Sequence, residues 1–115
     1  MKKYLYLDND WEPEFTATQK DATTGVIEPA TGLSSQLALI SATRGGSAID
    51  ATLSVSLTER GTTGIYYAAT PIQGTDLRSV LSNATYLNKI VWVRFGDGSN
   101  ITVWEPYTVR EYRPA

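Results

Sequence analysis

Asp8, Asn9, Asp10, Glu12 and Glu14 crowd oxygen-bearing side chains into one short stretch of a 115-residue chain. Hard cations such as calcium need several converging oxygens, so Asp8, Asp10 and Glu12 are the candidate metal ligands of this sequence. The stretch lacks the Asp-x-Asp-x-Asp-Gly loop and the distal glutamate of a calcium hand. A solvated acidic loop that discourages edge-to-edge sheet pairing accounts for it better. Paired carboxylates roughly 5–10 Å apart could instead do glycosidase-type acid–base work. Asp8, Asp10, Glu12, Asp50, Asp97 and Glu105 are available for it, and none has a recognisable catalytic setting. The chain has no histidine and no cysteine. That removes the Ser-His and Cys-His nucleophile pairs, His- and thiolate-based metal sites, and disulfides. The expectation is a protein with no catalytic residue, no metal and no cofactor.

Other motifs reduce to structure. Gly45-Gly46 and Gly96-Asp97-Gly98 lack the Lys-Ser/Thr ending and following helix of a phosphate loop, so both read as turns. Asn83-Ala84-Thr85 and Asn100-Ile101-Thr102 match a glycosylation pattern but follow no secretory signal. The formal net charge is -2, with Arg44, Arg60, Arg78, Arg94 and Arg110 scattered along the chain. They read as solubility and weak surface ion pairs, and in an assembly some would meet carboxylates on a neighbour. No basic stripe for nucleic acid is visible. No apolar run approaches the ~20 residues of a membrane span. The reading is a protein made in the cytoplasm and not secreted.

The three tryptophans and seven tyrosines are the remaining resource. Flat rings anchor protein interfaces and also stack on sugars. Trp92, in an alternating strand, is expected in the core. Trp11 and Trp104, flanked by acids and prolines, are expected partly exposed. Tyr66 and Tyr67 face opposite ways, so one of them points outward. The candidate partner contacts are Tyr4, Trp11, Tyr66, Trp104, Tyr107, Tyr112 and Arg113, with Lys2-Lys3-Tyr4 and Tyr112-Arg113 as terminal arms that order on assembly.

The elements that position these residues are read from periodicity. Ala51, Leu53, Val55 and Leu57 alternate with Thr52, Ser54, Ser56 and Thr58. With residues 65–69, across the turn at 59–64, they predict a central β-hairpin. Residues 2–7 predict an edge strand and 15–18 a short one. Residues 35–43, apolar on both faces, predict a central strand. In residues 87–95, Ile90 and Trp92 share one side, and Val91, Val93 and Phe95 the other. Residues 96–100 predict a hairpin turn into 101–103, and Pro106 a bend. Leu77, Val80 and Leu81 predict a short helix capped by Thr75 or Asp76 and stopped at Asn83. Seven or eight short strands with frequent turns predict one all-β sandwich or barrel domain over residues 1–115.

The segment Leu53-Ser-Val-Ser-Leu-Thr-Glu-Arg-Gly-Thr-Thr-Gly-Ile-Tyr-Tyr-Ala-Ala69 resembles the small immunoglobulin-like β-sandwich domains of tailed-bacteriophage virion proteins. The nearest likeness is to the N-terminal domain of phage baseplate upper proteins. Those domains carry a polar-alternating strand, a Gly-Xaa-Tyr-Tyr-Xaa-Xaa strand and a return strand ending in a Gly-Asp-Gly turn. Here that return strand is Val91-Trp92-Val93-Arg94-Phe95-Gly96-Asp97-Gly98. The likeness runs over residues 15–109, and departs from the family in the stretch 75–83 and in the expectation of a stand-alone module where those proteins continue into further domains. It implies an immunoglobulin-like antiparallel β-sandwich with one short helix. It also implies a non-enzymatic virion structural protein, an adaptor or connector in neck, tail or baseplate, present in many copies among other virion proteins. A capsid decoration protein is the alternative, and a carbohydrate-binding module the alternative of another class.

Overall fold

Val91, Val93 and Phe95 are fully buried, while Ile90, Trp92 and Arg94, which alternate with them, are not. That alternation makes residues 90–96 a strand with one face against a core. A computed structural model describes residues 3–98 and 101–111. The described strands are β1 (Tyr4–Tyr6), β2 (Glu14–Thr16), β3 (Thr18–Lys20), β4 (Ile27–Pro29), β5 (Leu37–Ser41), β6 (Ser54–Ser56), β7 (Thr58–Glu59), β8 (Ile65–Tyr67), β9 (Ile90–Gly96) and β10 (Thr102–Arg110). A 3-10 turn, Ala51–Leu53, precedes β6, and the one α-helix among the described residues, α1 (Gly74–Leu81), follows β8. The chain is mostly β, as expected.

Three sheets result. The largest has the order β1-β10-β9-β5-β6, the second β2-β8-β7, and the third is the ribbon β3-β4. All pairs are antiparallel except β1 with β10. The two larger sheets meet through stacked rings. Phe95 lies 5.3 Å from Phe15 of β2, which lies 5.6 Å from Tyr66 of β8. Leu77 and Leu81 of α1 complete the core beside Leu53. Each such buried side chain contributes roughly 1.5–3 kcal/mol.

The anticipated hairpin over residues 51–69 is corrected. Residues 51–53 form the 3-10 turn, held by Asp50, whose carboxylate accepts from Thr52 N at 3.0 Å. Β6 then pairs with β5 in the large sheet, and β7 pairs with β8 in the second sheet. The chain crosses between sheets at Leu57, and the true hairpin is only β7–β8. The reason is that Leu53 and Leu57 are both drawn into a core shared by the two sheets. This split and the exposed ribbon β3–β4 raise the strand count above the expected seven or eight.

Pro106 does not bend the chain away; it lies inside β10, opposite Trp92. Thr108 N donates toward Lys3 O on the β1 side, and Val109 N toward Lys89 O on the other. Backbone direction alternates, so the Pro106 nitrogen faces the β1 side, two residues before β1 pairing begins, and no ladder bond is lost there. Helix α1 starts at Gly74, before the expected caps Thr75 and Asp76, and the N-cap residue Gln73 makes no side-chain cap bond.

Candidate interaction face and the acidic loop

The acidic loop is bound to α1. Asp10 Oδ1 accepts from Gly74 N at 2.9 Å, so a remote carboxylate caps the helix and meets its positive end. Trp11 and Ile72 exchange two backbone bonds of 2.8 and 2.9 Å. The Arg78 guanidinium meets both Asp8 oxygens at 2.7 Å and Glu111 at 3.1 Å. Asp8 sits at φ +70, a left-handed conformation that aspartate tolerates better than most residues. Among the described residues no group of three or more His, Cys, Asp or Glu is placed to hold a metal ion. Glu12 is exposed. Calcium is therefore expected to leave the melting temperature unchanged, and a calcium-dependent rise would restore the metal reading.

Arg78 holds the Asp8 carboxyl below its usual range, chiefly through the hydrogen bond. A carboxyl whose pKa is lower in the folded state stabilises fully above its unfolded value and loses that contribution as pH falls through the folded one. The difference in urea midpoint between the wild type and Asp8→Asn is expected near neutral pH and should shrink toward nothing through the acid limb. Burial, and then Glu105, push the Tyr107 hydroxyl up to about 12. Here the sign reverses: the folded protein loses stability as pH rises from 10 to about 12. Tyr107→Phe is expected to flatten that alkaline limb in a denaturation series.

The large sheet has one inward and one outward face, fixed by register. Outward in β10 are Trp104, Pro106, Thr108 and Arg110, paired with Arg94, Trp92 and Ile90 of β9 and with Tyr4 and Tyr6 of β1. Trp92 and Trp104 are thus diagonal neighbours on the outer surface, both half-buried. Trp92 is not a core residue, contrary to expectation. Its strand turns Val91, Val93 and Phe95 inward, which leaves Trp92 on the side of Arg94. The guanidinium of Arg44 sits 5.9 Å over the Trp92 ring and that of Arg110 5.2 Å over Tyr4. Tyr4 and Tyr6 lie 5.8 Å apart.

Of the expected contacts, Tyr4 and Trp11 come together. With Leu5, Tyr6, Asn9 and Asp10 they line a cleft of about 190 Å³ beside β1. Trp104 is outward, as the sequence reading has it. Tyr66 is corrected: it is 1% exposed, donates to Ala30 O at 2.8 Å and accepts from Leu33 N at 3.1 Å. Its neighbour Tyr67 is the outward ring, under Arg60 at 4.6 Å. Tyr107 is also buried, edge-on to Trp11 at 5.7 Å. Phe15, beside Tyr66 on β2, and Phe95, in the facing sheet, decide the inward choice for Tyr66. Tyr112, Arg113, Lys2 and the turn residues Ser99 and Asn100 lie outside the described residues. Trp92 and Tyr6 are the face residues that sequence reasoning missed; Arg44 and Arg110 are expected on the surface, and the fold places them on this face. The usable signal was Arg94: an arginine on the same alternation as Trp92 marks that side as outward, because an unpaired buried charge is costly.

No protein-family model, curated protein or solved structure matches this chain. No helix among the described residues is long and apolar enough to cross a membrane.

Proposed function

We propose that this protein is a non-enzymatic docking module, an immunoglobulin-like β-sandwich that works through protein–protein contacts. The observation that carries this reading is the outward face of the five-stranded sheet, where Trp92, Trp104, Tyr4 and Tyr6 stand with Arg44, Arg94 and Arg110. Trp, Tyr and Arg are the residue types that dominate binding energy at protein interfaces. The sequence resemblance extends the reading to a tailed-phage virion structural protein, an adaptor in neck, tail or baseplate, with capsid decoration as the variant. In such a particle, repeated copies turn weak contacts into avidity. Mass spectrometry of purified particles from the genome encoding the chain tests this, with cryo-microscopy to place it. Its presence at a fixed copy number is the expected result, and its absence from every particle ends the virion reading.

A carbohydrate-binding module is the second reading, favoured by the diagonal, half-buried pair Trp92 and Trp104 on the outward sheet face. Glycan-array binding abolished by Trp104→Ala, with the fold intact, would select it.

A further inference from the structure

We propose that the outward face of the five-stranded sheet receives an acidic, apolar surface of a different protein; this rests on the docking reading above and adds the partner's chemistry. The argument is charge sorting. The chain has 12 acidic and 10 basic residues. Yet among the described residues the outward strand positions of this sheet hold no Asp, Glu or Lys. They are Tyr4 and Tyr6; Leu37; Ser54 and Ser56; Ile90, Trp92 and Arg94; and Thr102, Trp104, Pro106, Thr108 and Arg110, while Leu39, Ser41 and Gly96 share the register but are buried, so the accessible face centres on β1, β10 and β9. Among the described residues, every charge at these outward strand positions is a guanidinium, and Arg44 adds another from the neighbouring turn.

These guanidinium groups are also held in place. Arg44 and Arg110 lie over rings, and Arg94 lies against the turn at Gly98, where even a Cβ would fall 2.8 Å from its Nη1. A planar cation already laid on a ring loses little freedom when it meets a carboxylate, and its fork fits carboxylate geometry. A second copy presenting this same face would set guanidinium against guanidinium, so a two-fold dimer through it is disfavoured. Nucleic acid fits poorly, because the chain is net negative and the described strand positions of the face hold no lysine to track phosphates. Carboxylates around an apolar centre are what complement it.

The test is a library of displayed short random peptides, selected on wild-type protein and on the double variant Arg44→Glu with Arg110→Glu. Both residues are exposed, so an unchanged urea midpoint certifies the fold. The expected result is peptides combining Asp or Glu with large apolar residues. Their synthetic forms should bind the wild type, weaken with salt, and lose about tenfold or more in affinity on the variant. Recovery of neutral or basic peptides, recovery of none, or equal binding to the variant overturns the proposal. So does binding of a single-stranded oligonucleotide or an arrayed glycan that the variant loses. Self-association in sedimentation that the variant loses puts a second copy there and overturns it as well. Absence of the wild-type chain from particles bears on the virion reading alone, because the peptide selection reads the face without a particle.

Discussion

Gly74→Ala is expected to destabilise the protein by on the order of 3 kcal/mol, enough to move much of a small domain's margin. Helix propensity gives the opposite sign, since alanine in place of glycine within a helix gains roughly 0.5–1 kcal/mol. The close approach of the acidic loop decides. A Cβ on Gly74 would lie 2.2 Å from the Asp8 carbonyl carbon, 2.5 Å from its oxygen and 2.6 Å from Asn9 N. All three are backbone atoms that cannot rotate away. To make room, the loop must withdraw, which breaks the Asp10 cap on Gly74 N and disturbs the Asp8–Arg78 pair. Thr75→Ala, one residue on and exposed, is the control and should stay within about 0.5 kcal/mol. Urea denaturation of both variants checks the prediction; a Gly74→Ala protein as stable as wild type would refute the packing of this loop on α1.

Tyr66→Ala is expected to cost about 3–5 kcal/mol, in the range of large-to-small core truncations. Tyr66 joins three things. Its ring stacks on Phe15, which stacks in turn on Phe95 of the opposite sheet. Its hydroxyl donates to Ala30 O and accepts from Leu33 N, which ties the loop after β4 to the core. Tyr66→Phe separates these roles: it keeps the ring and leaves two backbone groups unpaired, at about 1–3 kcal/mol. Increased amide exchange confined to residues around 30–33 in Tyr66→Phe would show the local part of that loss. A Tyr66→Phe protein with unchanged stability and exchange would refute the hydroxyl's role.

Much of the β architecture was legible. The two-sided apolar strand at residues 35–43 is β5, and it is internal, between β9 and β6. The apolar triplet Leu77, Val80 and Leu81 did mark a helix. The edge strand in residues 2–7 is β1, and its described residues do lie at the sheet margin. The errors fall where local pattern is silent. The alternation of residues 51–58 fits one long strand as well as a strand that changes sheets at Leu57. Nothing within a few residues separates the two.

The residue order alone settled what depends on near neighbours: alternation along strands, turn glycines, the helical triplet, and the absence of any His- or Cys-based chemistry. Tertiary structure decided which side of each alternation faces in, and with it the roles of Trp92 and Tyr66. It also converted the best metal candidates into helix-binding groups, since Asp8 meets an arginine 70 positions away and Asp10 a glycine 64 away. The physical reason is the same in each case. A pleated strand offers two faces of equal local standing, and a carboxylate accepts from any donor in reach. Only the elements packed across from them determine which face is dry and which donor arrives.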